Sequence, residues 1–163
     1  MFDSDNTTLS EAVIAMRLLL AVGLGAVIGF EREPLARPAG LRTHMLTALA
    51  AALFTIITME IHAGVAREAS GQSTDPIRVI EAVTAGVAFL AAGAIFRSQG
   101  DVKGLTTGAG MWLAGAIGVA CGAGYGILAI MATVLAAIIL FAVRWLEVHF
   151  KPKDAPEPSS DAT

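Results

Sequence analysis

Residues 105–146 read LTTGAGMWLAGAIGVACGAGYGILAIMATVLAAIILFAVRWL, with glycines at positions 122, 124 and 126 near the middle. Two apolar blocks, 105–121 and 125–146, lie on either side of these glycines. An apolar helix of about 20 residues spans the ~30 Å hydrocarbon core of a bilayer. Because so few residues separate the blocks, the chain must reverse direction in a tight turn. The stretch therefore predicts a hairpin of two transmembrane helices.

Three similar apolar blocks, 11–30, 43–62 and 79–96, precede the hairpin. The whole chain is 55% hydrophobic and only 15% charged, whereas soluble domains need about a quarter of their residues charged. The sequence therefore predicts an all-α polytopic membrane protein, with a bundle of five transmembrane helices over residues 11–146. The tail 147–163 is rich in lysine, proline, serine and acidic residues, so we expect it to be disordered.

The positive charges predict how the chain is oriented, because cytoplasmic loops collect lysine and arginine. If the first loop is cytoplasmic, eight of the 11 basic residues lie inside and only Arg67 and Arg78 lie outside, with Arg17 in the membrane. Residues 1–10 are then extracytoplasmic and the tail is cytoplasmic. No basic residue precedes Arg17, which argues against a cleaved signal peptide. The predicted location is the bacterial inner membrane.

Small residues recur at helical spacing and predict close contact between helices. In lipid, helices associate mainly where small side chains let their backbones approach. Five small residues recur at every fourth position and form a ridge: Gly110, Ala114, Gly118, Gly122 and Gly126. A pair at the same spacing, Gly25 and Gly29, lies on the first helix. We expect packing within the bundle, with a homo-oligomer interface as the alternative.

Arg17 is unusual because it is a charge inside a spanning segment, where charges are costly and find partners. We expect it to snorkel to the outer surface or to pair with Glu60, Asp75 or Glu81; a role in transport is the alternative. The same three carboxylates are the nearest candidates for a Mg²⁺ site, although no metal site is predicted outright. His44 and His62 are expected to be interfacial residues.

The predicted cytoplasmic face carries several arginines beside helix starts. Thr43 and the pair Thr106 and Thr107 are expected to cap the second and fourth helices. The face could hold an anion such as a lipid phosphate, but a network neutralised by Glu31, Glu33 and Asp101 is favoured. The functional candidates at the two faces are Arg17, Glu31, Arg32, Glu33, Arg37, Arg42, Thr43, His44, Asp75, Arg78, Arg97, Thr106 and Thr107.

Enzyme and nucleic-acid functions have no support in the sequence. It contains no metalloprotease, nucleophile-elbow or phosphate-loop motif, and no basic face with interleaved aromatics. A single cysteine, Cys121, cannot form an internal disulfide. We therefore predict a non-enzymatic protein with no cofactor, whose surroundings are membrane lipids.

Several strings occur in the order and spacing of a known family. They are Gly29-Phe30-Glu31-Arg32-Glu33, the segment 37–44 (RPAGLRTH), Asp75-Pro76-Ile77-Arg78, the segment 89–95 (FLAAGAI), and Gly104-Leu105-Thr106-Thr107 with Trp112 beyond. Over residues 17–126 the chain resembles the MgtC/SapB family of bacterial membrane proteins. It is similar to the short, SapB-like kind that lacks the soluble carboxyl-terminal domain of the MgtC branch. Ala88 and Ala91 replace glycines usual in the family, and Gly108 replaces an alanine.

The resemblance implies a link to growth at low magnesium and, in pathogens, to survival inside host cells. Some family members are said to restrain the membrane ATP synthase rather than to move magnesium. Two hypotheses follow from this. The first is a regulatory protein of Mg²⁺ homeostasis that docks onto another membrane complex such as the ATP synthase. The second is an oligomeric transporter or channel-like protein for an ion or small solute.

Overall fold

A computed structural model describes residues 7–30, 39–68, 75, 77–98 and 101–150. Five helices account for most of these residues, which confirms the prediction of an all-α bundle. One short antiparallel hairpin of two strands joins the third helix to the fourth. The elements are α1 (Glu11–Phe30), α2 (Leu41–Glu68), α3 (Ile77–Gly93), β1 (Phe96–Ser98), β2 (Asp101–Lys103), α4 (Leu105–Gly122) and α5 (Gly126–Phe150).

Four of the helices are long and apolar enough to cross a membrane. Their spanning segments are Glu11–Phe30, Leu41–Val65, Leu105–Gly122 and Gly126–Leu146. The other helix, α3, has 17 residues and is therefore about 26 Å long. Large apolar side chains on these helices point outward, as expected where lipid rather than water surrounds a bundle.

The helix boundaries differ from the predicted ones by more than two residues at three helix ends. α2 continues to Glu68 and α5 to Phe150, beyond the apolar blocks that predicted them. Apolar length measures what lipid accommodates, whereas a helix can extend into water when its residues favour it. The third block ends differently, because α3 stops at Gly93 and Phe96 lies in β1.

The turn after α3 is a β-hairpin, which the sequence did not predict. Its register pairs Phe96 with Lys103, Arg97 with Val102 and Ser98 with Asp101. The hairpin returns the chain to the end of α3, where Gly104 lies against the carbonyl of Ala94 so closely that a Cβ atom would overlap it. Gly104 also has a φ of 90°, a left-handed conformation that glycine adopts without strain.

Helices α1, α2 and α4 form the tightly packed centre of the bundle. Its fully buried side chains are small or β-branched, and α5 adds one alanine to them. α3 packs against α4 on the outside, where Val87 contacts Gly115. The central cluster consists of Ala21, Ile28, Ala48, Ala52, Ile117, Cys121 and Ala129.

Hydroxyl groups inside the helices are satisfied within their own helix. Thr47, Thr55 and Thr133 each donate to the backbone carbonyl four residues earlier, at 2.8 Å. In lipid this bond removes the cost of a polar group that water cannot reach. These three threonines therefore leave no unpaired hydroxyl donor inside their helices.

Candidate functional site

The α4 ridge lies directly against the backbone of α2. A Cβ atom on Gly118 would overlap the carbonyl oxygen of Ala48 and lie 2.8 Å from the Cβ of Ala51. A Cβ atom on Gly122 would lie 2.5 Å from the carbonyl oxygen of Ala52. Ala114, in the same line, is fully buried. The ridge thus faces the inside of the bundle, which is the arrangement that the sequence favoured over an oligomer interface.

The fifth residue of that line, Gly126, does not belong to the ridge. It begins α5, and a Cβ atom there would lie 3.2 Å from a methyl carbon of Leu20 on α1. The chain reverses between Gly122 and Gly126, so the spacing of four places residues on one helix face only as far as Gly122, where α4 ends. The α1–α5 contact at Gly126 is therefore separate from the α2–α4 contact.

α1 uses its glycine pair in the same way, against the first turns of α2. Cβ atoms on Gly25 and Gly29 would lie 2.8 Å from the carbonyl oxygen of His44 and 2.7 Å from the Cα of Leu41, respectively. The His44 side chain is fully buried here, with Nδ1 2.8 Å from the carbonyl oxygen of Gly40. α1 and α4 cover the start of α2 and bury His44 there, which its position at a helix end did not predict.

His44 also fills the space that Gly110 leaves on α4. A Cβ atom on Gly110 would lie 3.0 Å from His44 Nε2 and 3.9 Å from Cγ2 of Ile28. One imidazole ring thus occupies the junction of all three central helices. The sequence places His44 only at a helix end, so its burial follows from tertiary contacts alone.

A second line of glycines on α4 faces α3, and the sequence analysis missed it. A Cβ atom on Gly115 would lie 2.9 Å from a methyl carbon of Val87. A Cβ atom on Gly108 would lie 3.1 Å from the carbonyl oxygen of Ala91. The two glycines are seven residues apart, which is two helical turns. This spacing is the signal from which the line could have been found.

The α4–α5 turn is a Schellman motif, which leaves one carbonyl for Arg17. Gly124 has a φ of 88°, and Tyr125 N–H donates to the carbonyl of Ala120 while Gly124 N–H donates to that of Cys121. These are the two bonds that define the motif. The guanidinium of Arg17 donates to the carbonyl of Gly122 at 2.8 Å, at the helix end where the macrodipole favours a cation.

Arg17 therefore binds a helix terminus, and the structure places the predicted carboxylate partners elsewhere. Gly124 leaves room for the guanidinium, because a Cβ atom there would lie 2.7 Å from one of its nitrogens. The half-buried arginine joins α1 to the last residue of α4. We call this part of the bundle, which contains the α4–α5 turn and Arg17, the turn end.

The carboxylates Glu60 and Asp75 also bind backbone at the turn end. Glu60 accepts hydrogen bonds from the Thr8 hydroxyl at 2.6 Å, from Leu9 N–H at 3.1 Å and from Thr8 N–H. Asp75 accepts from Ile77 N–H at 3.0 Å, at the start of α3. Glu81 is exposed on α3. Within the described ranges, these and other His, Cys, Asp or Glu side chains form no group of three that could hold a metal ion.

The opposite end of the bundle contains the β1–β2 hairpin, and we call it the hairpin end. Ala39 packs there with Ala91, Ala94 and Met111, so the segment before α2 lies beside the end of α3. The predicted candidates Glu31, Arg32, Glu33 and Arg37 lie outside the described residues. Among the described residues, the exposed cations toward this end include Arg42, Arg97, Lys103 and, near the end of α5, Arg144.

The threonines at the hairpin end do not cap their helices as predicted. The N-cap of α4 is Gly104, which makes no side-chain capping bond. Thr107 is buried, whereas Thr106 is exposed. Thr43 lies in the first turn of α2, which begins at Leu41, and its carbonyl accepts from Thr47. The N-cap of α4 has a left-handed backbone conformation, which glycine adopts without strain. Glycine therefore occupies this position, and it has no side chain with which to cap the helix.

Comparison with known proteins shows a family relationship by sequence. A model of the MgtC family matches residues 18–149. An uncharacterized protein of Haemophilus influenzae is 38% identical over 133 residues, covering 81% of this chain and 55% of the relative. The Protein MgtC of Brucella abortus is 39% identical over 140 residues, and that of Salmonella typhimurium is 38% identical over 120 residues. These matches cover 83% and 74% of this chain, and 55% and 48% of the two relatives.

The chain spans about half the length of the curated relatives that it matches. No solved structure matches it. The family match extends over most of the chain, with α2, α3 and α4 complete and with most of α1 and α5. The identity of 38–39% between this chain and the two MgtC proteins points to the same family. The chain is a membrane protein that belongs to the MgtC family.

Proposed function

We propose that this protein is a non-enzymatic accessory protein of the bacterial inner membrane that serves Mg²⁺ homeostasis by docking onto another membrane complex. The observation that carries the proposal is how the described helices use their polar groups. Arg17, Glu60 and Asp75 bind the backbone at helix ends, and the central helices meet through small residues. A bundle built in this way is suited to presenting helix faces to a partner.

The outward faces of α3 and α5 are the surfaces that a membrane partner would contact. Phe89 on α3 is 80% exposed, and Ile139 on α5 is 61% exposed. Side chains of this size dock into grooves between the helices of a partner by van der Waals contact, which is the main attraction between helices in lipid. The family resemblance makes the membrane sector of the ATP synthase the first partner to test.

The functional test compares a deletion strain with its complemented parent across a magnesium series, with cellular Mg²⁺ and ATP measured together. A growth defect at low magnesium, with altered ATP and normal Mg²⁺ uptake, is the result expected of a docking regulator. Impaired uptake would instead favour the transport hypothesis. In that case, complementation with Arg17→Ala should fail to restore uptake. The amount of this variant in the membrane must be matched to that of the wild type, because the variant loses the hydrogen bond to Gly122.

The docking test uses a photo-crosslinking amino acid at Phe89 or Ile139, with the buried position Ala129 as the control. A specific membrane-protein adduct from an exposed position, absent from the control, is expected. Adducts to lipid alone at both exposed positions would count against docking. Leucine at Gly118 or Gly122 is unsuitable for this test, because both residues contact the α2 backbone and the variants would lose the fold itself.

A further inference from the structure

A long groove opens between α2 and α3 on the outer surface of the bundle. Its volume is about 520 Å³. The groove exists because α3 packs on α4, where Val87 contacts Gly115, and leaves its other side open toward α2. The lining is almost entirely apolar and includes Ala50, Phe54, Ala82, Gly86 and Leu90.

Among the described residues that line the groove, one is a cation: Arg78, which lies at one end of the groove in the first turn of α3. Thr58 lines the groove at the same end and also lines a small neighbouring cavity with Ile77 and Tyr125. Arg78 is therefore level with the α4–α5 turn. Exposed tyrosines and helix turns lie at the boundary between lipid and water, so the Arg78 side chain is at the depth of lipid headgroups.

The length of the groove corresponds to one leaflet of a bilayer. Arg78 and Leu90 line its two ends along α3, and the 12 residues between them rise about 18 Å. Half of a ~30 Å hydrocarbon core is about 15 Å. A helix of roughly 10 Å diameter would need about 1,400 Å³ over the same length. The groove therefore matches an acyl chain of one leaflet in length, and its volume is too small to enclose a whole helix.

We infer that this groove binds one anionic phospholipid, with the phosphate at Arg78 and an acyl chain between α2 and α3. A guanidinium binds phosphate oxygens through two parallel hydrogen bonds, which an ammonium cannot do. Asp75 and Glu81, each three residues from Arg78, do not line the groove, and Asp75 accepts a hydrogen bond from Ile77 N–H. α3 contacts α2 less extensively than it contacts α4, so a chain bound in the groove adds contacts that hold α2 and α3 together.

The test measures lipid retention by the purified full-length protein with native mass spectrometry. The protein in mild detergent is incubated with phosphatidylglycerol or with phosphatidylcholine of the same acyl chains. The wild type is expected to retain one phosphatidylglycerol in preference. Arg78→Gln should weaken phosphatidylglycerol binding at least about tenfold and remove the preference between the two lipids.

Filling the groove tests where the chain lies. A Cβ atom on Gly86 has no atom within 4 Å, so Gly86→Leu places a side chain in the groove without a clash and should lose both lipids. Gly23 on α1 is also exposed and has the same open space. Gly23→Leu is therefore the matched control and should bind lipid as the wild type does.

Two results would overturn the inference. If Gly86→Leu retains phosphatidylglycerol as well as Gly23→Leu does, the lipid is not in the groove. If Arg78→Gln binds it as tightly as the wild type, the phosphate is not at Arg78. Circular dichroism confirms that each variant is folded. Ala82→Leu, which fills the same groove from one turn away, replaces Gly86→Leu if the latter fails to fold.

Discussion

Replacing Gly118 with alanine adds one methyl group to the contact between α4 and α2. The new Cβ would overlap the carbonyl oxygen of Ala48 and lie 2.8 Å from the Cβ of Ala51, whereas ordinary contact begins at 3.4 Å. From the Ala51 contact alone, the helices must separate by 3.4 − 2.8, or 0.6 Å, at this level. Because the obstacle is backbone and a short side chain, rotamer changes cannot relieve it.

The expected cost follows from two opposing effects. Overpacking of a filled core costs about 1–3 kcal/mol, and a rigid backbone obstacle belongs near the upper value. Alanine favours the helix over glycine by about 1 kcal/mol, so the net destabilisation of Gly118→Ala is about 2 kcal/mol. Gly23→Ala makes the same chemical change in open space and should be neutral or stabilising by up to about 1 kcal/mol. The two variants should therefore differ by about 2–3 kcal/mol.

The assay is reversible unfolding in mixed micelles as the fraction of SDS rises. Trp112 on α4 reports the loss of tertiary contacts, in a background where Trp145 is replaced by phenylalanine. The expected order of stability is Gly23→Ala, then wild type, then Gly118→Ala. If Gly118→Ala unfolds within about 0.5 kcal/mol of Gly23→Ala, the range of a surface substitution, the close α2–α4 contact is refuted.

Three further predictions use the same assay or hydrogen exchange. Arg17→Ala removes a charged hydrogen bond to the carbonyl of Gly122 and should lower the free energy of unfolding by about 1.5–3 kcal/mol; unchanged stability would contradict the role of Arg17 at this helix end. Gly104→Ala forces a left-handed conformation and an overlap with the carbonyl of Ala94, so it should cost more than about 1 kcal/mol, whereas Gly93→Ala, with open space around it, should not. Glu60→Gln replaces a carboxylate that accepts hydrogen bonds from Thr8 and Leu9. The amide protons of both residues should therefore exchange faster in hydrogen-exchange NMR. Equal rates would show that other contacts hold the segment before α1.

The sequence predicted the elements whose signal lies within a single segment. Apolar length predicted five helices, and the spacing of four predicted the ridge from Gly110 to Gly122. Glycine at position 124 marked the turn, because its conformation is a local requirement. Each of these features depends on neighbours in the sequence, which a pattern can represent.

Features that depend on contacts between segments were not predictable in the same way. Arg17 was expected to snorkel to the outer surface or to pair with a carboxylate, and its hydrogen bond to the backbone carbonyl of Gly122 cannot be read from the residue types. The burial of His44 was not predicted, because it depends on contacts with α1 and α4. The line of Gly108 and Gly115 was overlooked because small residues are so frequent on α4 that only the position of α3 distinguishes the two faces.

The bond between Arg17 and Gly122 joins residues 105 positions apart, and this separation has a consequence for biosynthesis. Ribosomes add about 5–20 residues per second, so the carbonyl partner of Arg17 is made roughly 5–20 s after the arginine itself. During that interval α1 enters the membrane with an uncompensated cation. The translocation machinery or the lipid headgroups must accommodate this charge until α4 and α5 are inserted. The hydrogen bond of Arg17 can form only after that insertion, so α1 reaches its final set of contacts last.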